Sequence, residues 1–121
     1  MNIAIIGLGR VGAQFLNQIT TYKKNGVNIL AVAELGDTEG KTMAKEMGLE
    51  LKTSEEIAAM GESLDIIFEL TGNSEVRKAM RNALKEANNT HTAIAPENFA
   101  YLIWSIIENK PLPDVHSNKG Y

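Results

Sequence analysis

The chain has 121 residues, of which 44% are apolar and 22% charged, with a net charge of −3 and no cysteine. These values suit one globular domain that buries roughly two-thirds of its unfolded surface, and they exclude disulfides, thiolate nucleophiles and cysteine metal sites. Lysines and arginines are dispersed among a slight excess of carboxylates, which argues against a nucleic-acid partner, and no apolar run approaches the roughly 20 residues of a membrane span.

Asn2 to Ile6 is a β-branched run without polar alternation that stops at Gly7, the pattern of a buried strand. Because strand-like residues begin at Asn2, no signal peptide is expected and the cytoplasm is the expected location. From Arg10 to about Lys24, Val11, Phe15, Ile19 and Tyr22 recur with the period of an amphipathic helix, which Asn25-Gly26 ends. Asn28 to Ala33 is a second apolar run. Asp37 or Thr38 can cap a helix through Met47, with Gly48 as its stop. A weak strand is expected at Leu49 to Lys52, then a short helix opened by Ser54 with Glu55 and Glu56 in its first turn.

Leu64 to Leu70 reads as the next strong strand. Thr71-Gly72-Asn73-Ser74 is turn chemistry leading into a helix to about Asn88, and His91 to Ala95 reads as the last strand. Pro96 suits the first position of a final helix to about Asn109, and Lys110 to Tyr121 reads as a polar tail. The expected fold class is therefore α/β: a Rossmann-type doubly wound parallel sheet of about five strands, order 3-2-1-4-5, in three layers over residues 1–109.

Gly7-Leu8-Gly9-Arg10-Val11-Gly12 matches G-x-G-x-x-G, a weak pattern alone but here set between the first strand and the first helix. In that setting Gly7 permits the tight turn, Gly9 lets a pyrophosphate approach bare backbone, and Gly12 lets the helix pack close to the sheet. The helix N-terminus offers unpaired N–H groups to the anion, and Arg10 can add a charged contact. The alternative is a glycine-rich turn needed only for packing. Glu34, 22 residues after Gly12, stands where a carboxylate accepts hydrogen bonds from the adenosine ribose and repels a 2′-phosphate, so NAD is favoured over NADP. Its alternative is a plain solvated residue. Leu35 follows at the same strand end, and Asp37 is a second acidic candidate with helix capping as its other role.

Thr71, Gly72 and Asn73 lie at the carboxyl end of the fourth expected strand, where they can line the nicotinamide ribose or, in the case of Asn73, cap a helix. Glu97 falls near the expected nicotinamide end and is read as compensating the helix dipole. His91 and His116 sit in no metal-ligand spacing and beside no nucleophile motif, so neither is assigned chemistry and no metal site is expected.

Three stretches together resemble the cofactor domain of the homoserine dehydrogenase and aspartate dehydrogenase group, which is similar in turn to that of dihydrodipicolinate reductase. They are Ile3-Ala4-Ile5-Ile6-Gly7-Leu8-Gly9-Arg10-Val11-Gly12, Asp65-Ile66-Ile67-Phe68-Glu69-Leu70-Thr71-Gly72 and Asn88-Asn89-Thr90-His91-Thr92-Ala93-Ile94-Ala95. The resemblance implies NAD(P) binding through Gly7, Gly9, Arg10, Gly12, Glu34, Thr71 and Gly72. It departs after the last strand, where homoserine dehydrogenases carry a Thr-Ala-Asn-Lys-like segment and this chain reads Ile94-Ala95-Pro96-Glu97. Those enzymes also draw substrate-binding residues from a second domain.

The expectation is thus an NAD(H)-binding domain with a nucleotide- or redox-sensing role and no autonomous catalysis, as lone domains similar to it serve beside bacterial signalling modules. The alternative is the cofactor part of an NAD(P)-dependent amino-acid dehydrogenase, an oxidoreductase whose catalytic domain is separate. A third reading keeps the fold and exchanges the ligand for another nucleotide or an acyl-CoA. The final helix, Phe99 to Ile107, is apolar nearly all round, and a homodimer through Tyr101 and Trp104 is expected to cover it.

Overall fold

The computed structural model describes residues 1–111. Four strands, β1 (Asn2–Ile6), β2 (Asn28–Ala33), β3 (Ile66–Glu69) and β4 (Ala93–Pro96), form one parallel sheet in the order β2–β1–β3–β4. The central strand is β1, whose Ile5 lies between Val32 of β2 and Phe68 of β3. Successive residues of a strand face opposite sides, so the apolar run of β1 feeds two cores. Ile3 and Ile5 join Phe15, Leu16, Val32 and Phe68 on one face, while Ala4 and Ile6 join Ile57, Leu64, Ile67 and Met80 on the other.

Helices α1 (Arg10–Thr20), α2 (Glu39–Glu46) and α5 (Glu97–Glu108) cover the first face. Helices α3 (Ser54–Ala59) and α4 (Ser74–Glu86) cover the second. The result is the three-layered, doubly wound architecture expected from alternating strands and helices. Phe15 and Phe68, with ring centroids 4.6 Å apart and tilted by 46°, fasten α1 to β3. Each fully buried aliphatic side chain, such as Ile5, Leu16 or Ile67, contributes about 1.5–3 kcal/mol over its exposed state.

The strand count differs from the expected five. Leu49–Lys52 does not form a strand: only Leu51 bridges to Val32, with hydrogen bonds from Val32 N to Glu50 O and from Lys52 N to Val32 O, both 2.9 Å. The segment lies beside β2, where the expected order put it, but it is clipped at both ends. Gly48 is left-handed (φ +74°) and Leu49 N bonds back to Ala44 O, so the helix-end turn holds the start. At the other end Thr53 is already the N-cap of α3.

Other boundaries shift by a few residues. Helix α1 stops at Thr20, where the Thr20 and Thr21 hydroxyls donate to the carbonyls of Asn17 and Gln18, and a short 3₁₀ turn, Lys23–Asn25, carries the chain to left-handed Gly26. The last strand begins at Ala93, because the Asn89 side chain accepts from the N–H groups of His91 and Thr92 and holds them in a turn. Pro96 closes β4 and N-caps α5, one position before its expected place. Of the expected tail only Lys110 and Pro111 are described; His116 lies outside the described residues.

Candidate functional site

The carboxyl ends of the parallel strands gather the sequence-marked residues, and the strand order reverses between β1 and its neighbours β2 and β3, the position where such sheets bind ligands. The three glycines of the turn do different work. Gly7 adopts φ +97°, and a Cβ on it would lie 2.8 Å from Thr71 N and 2.9 Å from the Leu70 carbonyl carbon. Only glycine allows both the turn and this approach to the end of β3. At Gly12 a Cβ would overlap the Gly7 carbonyl oxygen and lie 2.8 Å from its carbon, so α1 rests directly on the turn.

Gly9 is the reverse case. It is exposed, and nothing lies within 4 Å of where its Cβ would be. It is also the N-cap of α1 without a side-chain cap, whereas Thr38, Thr53 and Asn73 cap α2, α3 and α4 with their own oxygens. The first turn of α1 therefore presents backbone N–H groups to open space, with the positive end of the helix dipole behind them. These are the features a pyrophosphate requires. Arg10 is exposed beside it and Val11 is half-buried.

The Glu34 carboxylate is held at the end of β2. Its Oε1 accepts from Leu8 N at 2.6 Å and its Oε2 from Gly36 N at 2.8 Å. Gly7 N donates to Ala33 O at 2.8 Å. The turn is thus tied to the end of β2 by two hydrogen bonds. Leu8 joins the turn through its backbone only, because its side chain is fully buried in the core. Leu35 is 99% exposed at the adjoining rim. Sequence reasoning did not single out Gly40, where a Cβ would overlap the Leu8 carbonyl oxygen and lie 2.9 Å from Leu8 Cβ, so that α2 buttresses the turn from the far side. A glycine in the first turn of a helix was the available signal.

At the end of β3, the structure puts Thr71 to a structural use. Its N–H donates to Glu69 Oε2 at 2.9 Å, its hydroxyl donates to the same oxygen, and the hydroxyl accepts from Asn73 N at 2.9 Å. Asn73 Oδ1 accepts from Glu75 N at 2.9 Å, which makes it the cap of α4. Gly72 (φ +73°) stands between them, with Glu97 Oε1 3.4 Å from its would-be Cβ. Glu69 itself is 1% exposed, with Arg77 Nη1 3.8 Å from its Oε1. An acidic residue inside an otherwise apolar strand was the sign of it. Burial, then the charge of Glu69, push the Glu97 carboxyl above the usual range, against the opposing pull of Arg77.

An apolar groove lies apart from the turn, between α1 and α5, taking in Val11, Phe15, Tyr101, Trp104 and Ile107. Tyr101 and Trp104 are therefore half-buried against α1, and the outward face of α5 is made by Phe99, Leu102 and Ile106, at 55%, 52% and 70% exposure. Among the described residues no helix is long and apolar enough to cross a membrane.

A parallel sheet whose first turn is a glycine cradle opening a helix, with a carboxylate at the end of the next strand, defines a Rossmann-type dinucleotide-binding domain. The sequence profile described as "Homoserine dehydrogenase, NAD binding domain" matches residues 7–95. The chain belongs to that family, whose ligand is a nicotinamide dinucleotide. The curated proteins gave no match.

Among solved structures, the chain is similar to S. aureus homoserine dehydrogenase at pH 7.0, with 19% identity, a TM-score of 0.52, and coverage of 80% of this chain and 32% of the enzyme. For the same enzyme at pH 6.5 the values are 20%, 0.55, 90% and 28%. An NAD-binding protein from Listeria innocua aligns at 17% identity and a TM-score of 0.44, over 89% of this chain and 40% of the other. The chain thus spans about a third of the length of the enzyme it matches, and the likeness to that enzyme speaks to the fold.

Proposed function

We propose that the chain binds NAD(H) through Gly7, Gly9, Arg10, Gly12 and Glu34, and works as a nucleotide- or redox-sensing unit in the cytoplasm without catalysing hydride transfer on its own. The observation that carries the binding is Gly9: an uncapped helix N-terminus with open space over it, held in place by contacts at Gly7, Gly12 and Gly40 that tolerate no side chain. Glu34 favours NAD over NADP, since its carboxylate stands at the β2 end where a 2′-phosphate would bring further negative charge. When bound, the nicotinamide supplies a hydride-accepting ring. This chain's own residues fix the phosphates and the ribose.

The sensing role is supported by Glu97, a carboxylate where the resemblance to homoserine dehydrogenases implies a lysine. A second reading, a cofactor unit for an amino-acid dehydrogenase, is favoured by the outward apolar face of α5. Phe99, Leu102 and Ile106 form a stripe suited to a substrate-binding domain or to a second copy of the chain.

Calorimetric titration with NAD, NADH, NADP and coenzyme A, with Gly9→Val as the control, tests the binding. Saturable NAD or NADH binding that the substitution abolishes is the expected result; no heat with either dinucleotide refutes it. Hydride exchange with an amino acid by the protein alone would refute the sensing role.

A further inference from the structure

The ends of β3 and β4 hold more negative than positive charge. Pro96 pairs with Glu69 across the sheet, so Glu97 emerges next to the end of β3. Its carboxylate stands against Gly72, whose turn neighbours Thr71, and Thr71 is in turn the residue that Gly7 packs against. A continuous line of contacts therefore runs from the glycine cradle to Glu97. Two carboxylates, Glu69 and Glu97, face one guanidinium, Arg77, which lies 3.8 Å from Glu69. The Glu69 Oε1 atom is buried without a hydrogen-bond partner among the described residues. Beside this buried charge, which one guanidinium at 3.8 Å has to balance together with Glu97, the half-buried Glu97 carboxylate gains from a nearby cation.

A dinucleotide laid across such a sheet places its two halves on opposite sides of the reversal in strand order. With the adenosine ribose at Glu34 on β2, the nicotinamide half falls on the side of β3 and β4, where Gly72 and Glu97 stand. The two redox forms of the cofactor differ in charge at that end: the oxidised pyridinium ring is a cation and the reduced dihydropyridine ring is neutral. The geometry points to Glu97 as a redox-specificity residue, its carboxylate favouring the oxidised over the reduced dinucleotide. The inference rests on the proposed binding of NAD(H). It gives the sensing role a physical basis, because a site that distinguishes the two forms by charge reports their ratio.

The test is titration of the full chain with NAD and with NADH, in wild type, Glu97→Gln and Glu97→Ala, at low and high ionic strength, with thermal melts of each variant. The affinity ratio of NAD to NADH falls about tenfold in both variants, equivalent to about 1.4 kcal/mol, nearly all through weaker NAD binding. In wild type the ratio also falls with salt, because the site is part-exposed and its charges are screened. A ratio unchanged by both substitutions, or an equal loss for both forms, overturns the assignment of Glu97 while leaving NAD(H) binding intact. Failure of wild type to bind either form overturns the binding and the assignment together.

Discussion

Gly9 and Gly12 lie three residues apart in one motif, yet their surroundings differ, and under the proposed function a pair of alanine substitutions separates ligand binding from packing. A methyl group at Gly12 would overlap the Gly7 carbonyl oxygen and sit 2.8 Å from its carbon, and both atoms are backbone with no rotamer to yield. Either α1 lifts from the sheet or the turn after β1 shifts. Overpacking of this kind costs typically 1–3 kcal/mol, and rigid neighbours put Gly12→Ala near the top, at about 3 kcal/mol. At roughly 4 °C per kcal/mol for a domain of this size, the melting temperature falls by about 12 °C.

At Gly9 the backbone is extended, with φ −76° and ψ −155°, and the methyl group would enter open space. Gly9→Ala therefore holds stability within about 0.5 kcal/mol. The same methyl group keeps an anion from the first N–H groups of α1. Losing one charge-assisted hydrogen bond of about 1.5–3 kcal/mol weakens NAD by about tenfold or more. Thermal unfolding followed by circular dichroism, paired with NAD titration of each variant, separates the two effects. A Gly12→Ala protein that melts like wild type, or a Gly9→Ala protein destabilised as much as Gly12→Ala, refutes the division of labour.

Other outcomes follow from the hydrogen bonds. Glu34→Ala strips the acceptors from Leu8 N and Gly36 N; it lowers stability by about 1–2 kcal/mol and, by removing the charge at the β2 end, raises the NADP-to-NAD affinity ratio about tenfold, read by titration. Thr53→Ala breaks a capping box in which Thr53 Oγ1 accepts from Glu56 N at 3.0 Å and Glu56 Oε1 from Thr53 N at 2.8 Å; urea unfolding shows a loss of about 1 kcal/mol with NAD binding unchanged. The Asn2 N–H, then His91, hold the Asp65 carboxyl below the usual range. Stability from this group is complete above the ordinary aspartate value of about 4 and drains away as pH falls through the lower folded value. In melts taken across that acid range, Asp65→Asn flattens the decline.

The first strand, the glycine turn and α1 were legible in the sequence because the apolar run stops at the residue where the motif begins, so local pattern and tertiary role coincide. The weak strand at Leu49–Lys52 was not, since its failure to extend depends on Gly48 and Thr53 claiming the residues on either side for helix ends. Within the site, Glu34 could be placed from its spacing, but its bond to Leu8 N could not, because sequence separation says nothing of a backbone N–H left over by a turn. Of the two roles open to Asn73 in the sequence, lining the ribose or capping a helix, its side chain takes the cap of α4, and the Leu8 side chain within the glycine motif goes to the core, neither of which the motif pattern specifies. Glu69 was passed over inside an apolar run, although it anchors Thr71 and sets the charge around Glu97.

The two hydrogen bonds that Glu34 accepts have a consequence for how cofactor preference can change. Under the proposed function one carboxylate both selects the ribose and fastens the turn that receives the phosphates. A substitution that admits a 2′-phosphate thereby releases Leu8 N and Gly36 N as well, and loosens the cradle it was meant to re-specify. The route from one dinucleotide to the other therefore passes through a weakened binder unless a second residue recaptures those N–H groups at the same time. On that reading, selectivity at this position is guarded by the coupling of ligand choice to the integrity of the turn as well as by contact with the ligand.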